Sequence, residues 1–195
     1  MKLLSSNASP YGRKVRACAI ALDLDKQIEL IDVDTANPSE TWLAANPLGR
    51  IPTLITDDGF SIFDSPVICE YLNARSALIP VIPPSGAARW LCRRLEALGD
   101  GMMDAAVGRR QLLVGGLAPD HVLLQRHVRA LQRTLDRLEQ ERPSLHVDVG
   151  TISIACALGY LDLRFADDAW RTGRPQLAAW FETISARTCL SSTVP

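Results

Sequence analysis

Lysine is scarce in this sequence, and a net charge is almost absent. The 21 basic residues face 22 acidic ones, for a formal charge of −1, and the only lysines are Lys2, Lys14 and Lys26. Without an excess of positive charge, general affinity for nucleic acids or anionic membranes is not expected. Small molecules or proteins are the expected partners. Most of the basic residues are arginines, whose guanidinium group can bind a carboxylate through two parallel hydrogen bonds. The alternative explanation for the many arginines is a bias in genomic composition.

Clustered cysteines and long apolar runs are also missing. None of the cysteines forms a Cys-x-x-Cys or Cys/His cluster, so no metal site is predicted. An odd number of scattered thiols indicates reduced, buried side chains in a reducing compartment. No segment has the apolar length of a signal peptide or a membrane span, and we expect a cytoplasmic protein. The five cysteines are Cys18, Cys69, Cys92, Cys156 and Cys189.

The hydrophobic fraction of 47% over 195 residues suffices for one large domain or two small ones. The first part predicts the order β-α-β-α-β-β-α, starting with a βαβ unit whose strands are parallel. Asp57-Asp58-Gly59 is a strong hairpin signal between the last two strands. The predicted strands are 2–5, 27–33, 53–56 and 61–63, and the helices begin at 9, 40 and 66.

The rest of the chain predicts helices. Apolar residues from Leu124 to Leu138 repeat at alternating spacings of four and three, which is typical of a bundle helix. Asp148 and Thr151 are predicted to cap the next helix. The tail, 188–195, is polar and expected to be loose. The predicted helices are 87–110, 121–142, 151–165 and 175–187.

Three prolines mark a linker over residues 77–86, where a domain boundary is predicted. The predicted fold class is therefore an α/β domain over residues 1–76 followed by an all-α domain over residues 87–195.

Ser9 stands before Pro10, where the first strand passes into the first helix. The free amides of a helix N-terminus favour an anion there, and a hydroxyl could help to stabilise a thiolate. The alternative is that Ser9 only caps the helix. A serine hydrolase is a weaker interpretation, because no Gly-x-Ser-x-Gly elbow surrounds this serine.

Two further motifs could hold an extended, peptide-like ligand. Ile51-Pro52 comes just before a strand, and the proline leaves the backbone of Ile51 free to pair with a ligand. Asp64-Ser65 precedes a helix with Pro66 at its first position, so the Ser65 hydroxyl and amide could bind a carboxylate. The alternative for Pro52 is that it is an ordinary proline at the start of a strand. The alternative for Asp64-Ser65 is that these residues only cap the helix.

Several basic residues lie near these motifs. Arg13, Lys14 and Arg16 begin the first helix, and Arg50 adjoins Ile51. Solvated surface is the expectation for each, and Arg50 is the preferred contact for a second ligand carboxylate. Candidate edges of a pocket for a second substrate are Tyr11, Arg109 and Arg110.

Together these residues resemble the glutathione transferase superfamily over the whole chain. The resemblance rests on Ser9 to Arg16, Asn46 to Pro52, Asp64-Ser65, Tyr71-Leu72 and the capped helix from Asp148 to Leu161. It implies a thioredoxin-like N-terminal domain that binds glutathione, a helical domain bearing the electrophile pocket, and a homodimer. Bacterial glutathione transferase-like proteins with a Ser-Pro-Tyr start look most similar.

The resemblance also implies roles for the candidate residues. Ser9 would activate the thiol, and Ile51 would pair its backbone with the cysteine of glutathione beside a cis Pro52. Asp64 and Ser65 would hold the γ-glutamyl end, and Arg50 would approach the glycine carboxylate. The implied activity is detoxifying conjugation of the glutathione thiolate to a small hydrophobic electrophile, with glutathione as co-substrate and no metal.

The first helix departs from the glutaredoxin pattern. Cys-Pro-Tyr-Cys is replaced by Ser9-Pro10-Tyr11-Gly12, so both sulfurs are missing and dithiol redox chemistry is disfavoured. Two alternatives to conjugation stay open: a binding or regulatory protein of the same fold with little turnover, and a glutathione-dependent isomerase, since the zeta class also uses a serine here.

Overall fold

A four-stranded mixed sheet forms the amino-terminal part of this computed structural model, which describes residues 1–78 and 80–195. The strand order is β2-β1-β3-β4. β1 pairs in parallel with β2 and antiparallel with β3, and β3 pairs antiparallel with β4. The strands are β1 (Lys2–Ser5), β2 (Glu29–Asp32), β3 (Thr53–Ile55) and β4 (Ser61–Ile62).

Strand register brings three chain segments to one edge of the sheet. Leu4, near the end of β1, pairs with Thr53 at the start of β3. Leu54 in turn pairs with Ile62 at the end of β4. The segments that follow β1, precede β3 and follow β4 therefore lie side by side.

Eight α-helices complete the described fold, three of them next to the sheet and five after it. Two short 3₁₀ turns lie at Asp25–Gln27 and Ala166–Asp168. None of the described helices combines the length and apolar character that crossing a membrane requires. The helices are α1 (Pro10–Ala21), α2 (Glu40–Ala45), α3 (Ser65–Arg75), α4 (Gly86–Val114), α5 (Val122–Glu141), α6 (Val149–Arg164), α7 (Pro175–Ser185) and α8 (Thr188–Ser191).

The core of the helical part is the contact between α4 and α6. A β-carbon added to Gly99 would lie 2.6 Å from the backbone carbonyl carbon of Ser153. One added to Gly150 would lie 2.5 Å from the carbonyl oxygen of Cys92. Such distances are too short for any side chain, so glycine at both positions lets the two helices approach closely.

The predicted cap of α6 is confirmed with its reversed polarity. The amide of Thr151 donates to Asp148 Oδ1 over 2.8 Å, and the amide of Asp148 donates to Thr151 Oγ1 over 3.0 Å. Both residues are buried. Aspartate followed by threonine therefore closes the same reciprocal capping box as the usual pattern of hydroxyl followed by acid.

The expected loose tail is wrong. Residues 188–191 form α8, and Leu190 and Thr193 are fully buried. The Thr193 hydroxyl donates to the carbonyl of Cys189 over 2.9 Å. Eight residues are too few for a hydrophobic period to show, and the burial depends on α1 and α7, which pack against α8.

The segment between the two parts begins after α3, and α4 starts at Gly86. Residue 79, within the predicted linker, lies outside the described residues. Val81 and Ile82 are buried, and the amide of Val149 donates to the carbonyl of Val81 over 2.9 Å. The connection is therefore tied to the start of α6.

Candidate active site

Ser9 occupies the sharp passage from β1 to α1. Its Oγ accepts a 3.1 Å hydrogen bond from the amide of Gly12. Ser9 therefore caps α1, as predicted in the alternative to thiolate stabilisation. A β-carbon on Gly12, in the first turn of α1, would lie 1.9 Å from Ser5 Oγ, so a side chain there would displace the Ser5 hydroxyl. Capping uses the hydroxyl oxygen as an acceptor, which leaves the hydroxyl hydrogen available to a ligand. Capping and ligand binding are therefore compatible.

The Ile51–Pro52 peptide bond is cis, as is Phe63–Asp64. The buried side chain of Asn46 holds this turn, with its amide nitrogen donating to Arg50 O over 3.0 Å and to Thr53 Oγ1 over 2.9 Å. Within residues 1–78 and 80–195, the backbone amide and carbonyl of Ile51 make no hydrogen bond. An extended ligand could pair with them. Sequence reasoning gave Asn46 no role, although an asparagine before Pro-x-Gly is a turn signal.

Among the described residues, no side chain caps the start of α3. Asp64 is the N-cap residue, but its carboxylate accepts no capping bond, and Ser65 is the first helical residue. The Ser65 side chain is 2% exposed and forms no hydrogen bond with the described residues. Plain helix capping therefore does not explain these two residues. The uncapped amides of α3 favour an anion.

Ser9, Ile51 and Ser65 lie at the one sheet edge where β1 ends, β3 starts and β4 ends. Arg50 is exposed beside them. The edge thus combines a hydroxyl donor, an unpaired strand backbone and a helix N-terminus. This combination suits a short peptide with an anionic group.

Tyr11, a predicted edge of the electrophile pocket, has its hydroxyl group bound to a residue of α4. Its hydroxyl donates a 2.5 Å hydrogen bond to Asp104 Oδ1 on α4. Burial, followed by this bond to a carboxylate, raises the pKa of Tyr11 far above its ordinary value. The phenol stays protonated and ties the start of α1 to α4.

The prediction that Lys14 lies on the solvated surface is wrong. Its side chain is fully buried, with Nζ 3.1 Å from Glu96 Oε1 and 2.8 Å from Asp100 Oδ1. Arg13 is also buried, and its Nη2 donates to the carbonyl of Leu190 over 3.2 Å. Arg16 is half-buried and donates to Asn7 Oδ1. The missed signal is Glu96, Asp100 and Asp104, which repeat every four residues along α4 and face α1.

Arg109 also has a partner. Its guanidinium forms a forked ion pair with Asp168 and stacks on Phe165, with its central carbon 4.1 Å from the ring centre. Arg110 is half-buried and forms no ion pair among the described residues. Of the two arginines predicted at the pocket edge, Arg109 is therefore paired with an acidic residue, whereas Arg110 can still pair with a ligand anion.

Family models match both parts of the chain. The model "Glutathione S-transferase, N-terminal domain" matches residues 8–75, and "Glutathione S-transferase, C-terminal domain" matches residues 122–183. The chain belongs to the glutathione S-transferase family. The first match contains Ser9, Ile51 and Ser65, the three residues at the sheet edge.

Individual proteins agree with this assignment. The uncharacterized GST-like protein YibF of Escherichia coli is 32% identical over 100% of this chain and 98% of its own length. A glutathione transferase family member from Pseudomonas fluorescens, solved with bound glutathione, is 39% identical with a TM-score of 0.94. That match covers 100% of this chain and 98% of the solved chain.

Two other matches bear on the chemistry. The Pseudomonas fluorescens protein was also solved with bound S-(propanoic acid)-glutathione, with 39% identity, a TM-score of 0.89 and coverage of 100% and 99% of the two chains. Maleylacetoacetate isomerase of Pseudomonas aeruginosa is 36% identical over 38% of this chain and 37% of its own length.

Proposed function

We propose that this chain is a glutathione S-transferase that conjugates the glutathione thiolate to a small hydrophobic electrophile. The observation that carries the proposal is the Ser9 hydroxyl, which caps α1 as an acceptor and retains its hydrogen for the sulfur. The thiol proton leaves to solvent as the thiolate forms. Its sulfur then bonds to the electrophilic carbon, and either a leaving group departs with the bonding electrons or a double bond opens and its other end takes a proton from solvent.

Glutathione fits the other groups at this edge. The cysteine of the tripeptide pairs with the unbonded backbone of Ile51 beside Pro52. Its γ-glutamyl end meets Ser65 and Asp64, whose carboxylate suits the ammonium group while the α3 amides suit the carboxylate. Arg50 directly precedes Ile51, so we expect its side chain to approach the glycine carboxylate of glutathione. The neighbour solved with bound glutathione supports glutathione as the ligand.

The proposal is tested by combining calorimetric binding of glutathione with conjugation assays on aromatic halides, epoxides and activated alkenes. We expect glutathione to bind and at least one electrophile to react faster than in buffer. Binding without conjugation would instead favour a binding or regulatory protein. Absence of glutathione binding would reject both.

Replacing Ser65 with alanine should mainly weaken the binding of glutathione. Ser65 is 2% exposed and its hydroxyl forms no hydrogen bond with the described residues, so the ligand is expected to supply one. We expect the dissociation constant to rise about tenfold, or ~1.4 kcal/mol, in calorimetry. Ser61→Ala, on the neighbouring strand, is the matched control. An unaltered affinity would remove Ser65 from the site.

A glutathione-dependent isomerase is the second candidate. It is supported by the partial identity with maleylacetoacetate isomerase and by the serine at the start of α1. An assay of glutathione-dependent isomerisation of maleylacetoacetate separates the two activities. In an isomerase the adduct must release glutathione again, whereas conjugation consumes it.

The proposal includes a homodimer that forms through the face where α3 meets α4. Val67, Trp90 and Leu91 are exposed on this face, Trp90 at 72%. Glu70 pairs with Arg89 and Arg93 beside them, which links the two helices. An exposed apolar patch rimmed by charges is typical of a protein interface.

Trp90→Glu should convert the dimer to a monomer, because it places a charge within the apolar face. Light scattering coupled to size exclusion measures the mass. Val114→Glu is the matched control, since Val114 is 76% exposed at the far end of α4. A monomeric parent protein would contradict this part of the proposal.

The remaining parts of the proposal concern location and domain limits. We place the protein in the cytoplasm, which the five free, buried cysteines support. We assign residues 1–76 to the glutathione-binding domain, 77–86 to a linker and 87–195 to the helical domain that carries the electrophile pocket.

A further inference from the structure

Arg110, Tyr160 and Arg164 lie together on the last turns of α4 and α6. The two helices run parallel, because Cys92 adjoins Gly150 and Gly99 adjoins Ser153. Further along, Arg109 stacks on Phe165. The register places Arg110 level with Arg164, one turn beyond Tyr160.

This cluster lies on the side of α4 and α6 that faces the start of α1. Along α1 towards its N-terminus, Lys14 meets Asp100 and Tyr11 meets Asp104. Continuing this antiparallel register brings Ser9 towards the residues that follow Asp104. From the other side, the Arg13 guanidinium lies against Gly159, the residue before Tyr160. The N-terminus of α1, which carries Ser9, therefore points towards the last turns of α4 and α6, where the cluster lies.

Among the described residues, the two arginines of this cluster have no acidic partner. Neighbouring arginines have acidic partners, since Arg109 pairs with Asp168 and Arg171 pairs with Asp162. In the part of the chain that the structure describes, neither Arg110 nor Arg164 forms an ion pair. Arg110 is half-buried and Arg164 is exposed, so both guanidinium groups are accessible to a ligand.

Tyr160 adds a hydrogen-bond donor. Its side chain is largely buried, with 6% exposure. Burial raises the pKa of Tyr160, and the guanidinium groups of Arg110 and Arg164 oppose this rise without reversing it. The hydroxyl is therefore protonated at neutral pH and can donate to an anion.

We propose that Arg110, Arg164 and Tyr160 form a subsite for a carboxylate carried by the electrophile. This inference rests on the proposed function and narrows its substrate class, from small hydrophobic electrophiles to those with an acidic group at the end away from the reacting carbon. Two guanidinium groups and a phenol provide charge-assisted donors that match a carboxylate. A neutral electrophile would leave both guanidinium groups bound to water alone.

The test uses glutathione thioethers, which bind without turnover. S-(carboxymethyl)glutathione and S-(3-carboxypropyl)glutathione are each compared by calorimetry with the corresponding primary amide. The acid and amide differ little in shape, so their affinity ratio reports the charge. We expect at least one acid to bind about tenfold more tightly than its amide.

The variants Arg110→Gln and Arg164→Gln should each reduce this ratio, and the double variant should bring it close to one. Tyr160→Phe should reduce it through loss of the hydroxyl. Arg133→Gln is the matched control, because Arg133 is an exposed arginine on α5 with no ion pair in the described chain. Thermal melts establish whether each variant folds. If Tyr160→Phe does not fold, the two arginine variants are sufficient to test the subsite.

The outcomes separate the two proposals. If the parent protein binds glutathione but prefers no acid to its amide, the carboxylate subsite is rejected and the proposed transferase stands. A preference that survives in the double variant also rejects the subsite, because the charge is then recognised elsewhere. If neither glutathione nor its thioethers bind, the proposed function fails and the subsite fails with it.

Discussion

Replacing Lys14 with methionine is expected to lower the free energy of unfolding by about 3–5 kcal/mol. Methionine fills similar space, but the change removes the cation between Glu96 and Asp100, whose side chains are 5% and 20% exposed. Asp100 would then be left poorly solvated without its cation, and Glu96 would keep only its ion pair with Arg93. Denaturant unfolding measures the loss, with Lys26→Met as the control at an exposed lysine.

This loss should depend on pH. Burial raises the pKa of Asp100, and Lys14 acts to lower it, so removing Lys14 raises it further. A carboxyl group whose pKa is raised in the folded state costs stability as the pH increases through that pKa. The deficit of Lys14→Met relative to the parent protein should therefore be smaller at low pH than at neutral pH.

Removing the two carboxylates as well distinguishes charge from packing. Adding Glu96→Gln and Asp100→Asn to Lys14→Met should restore much of the lost stability, because no buried charge remains uncompensated. A Lys14→Met protein as stable as the parent would show that the two carboxylates are neutralised without Lys14.

Replacing Ser9 with alanine should reduce kcat/KM for conjugation by at least about tenfold, or ~1.4 kcal/mol of barrier. The hydroxyl hydrogen that we assign to the sulfur is lost, so the pKa of bound glutathione should rise by about one unit. Ultraviolet absorbance of the thiolate, followed against pH, measures this change directly. Binding of the protonated thiol should change little.

Ser9→Ala also removes a helix cap, which costs about 1 kcal/mol of stability. Ser39→Ala is the matched control, because Ser39 caps α2 by accepting from the amide of Trp42 over 3.2 Å. It should show a similar loss of stability with normal kinetics. Ser9→Thr should recover part of the activity. If Ser9→Ala retains the parent rate and thiolate pKa, Ser9 has no part in the chemistry.

The amino-terminal part was well predicted because its signals are local. Asp57-Asp58-Gly59 predicted the hairpin between β3 and β4, and Glu40 to Ala45 forms the predicted short helix. Once β1 and β2 are parallel, the remaining strand pairings place the segments around Ser9, Ile51 and Ser65 at one edge. Three of the residues proposed to bind glutathione could therefore be located from turn and helix-start patterns.

Contacts between the two parts could not be predicted in this way. A lysine at the start of an amphipathic helix is usually solvated, yet Lys14 is buried because α4 presents Glu96 and Asp100 to it. Arg109 could not be distinguished from Arg110 by sequence, since only the approach of Asp168 gives Arg109 a partner. In both cases the deciding partner is more than fifty residues away.

By itself, the sequence determined the order of the strands and of the first seven helices, the capped start of α6 and the serine, proline and Asp-Ser positions of the glutathione motifs. These features depend on hydrogen bonds and backbone preferences within a few residues. Only the tertiary structure decided which cations are neutralised and that α8 is buried. Those outcomes depend on which faces of distant helices meet, and a single sequence does not specify the register of such contacts.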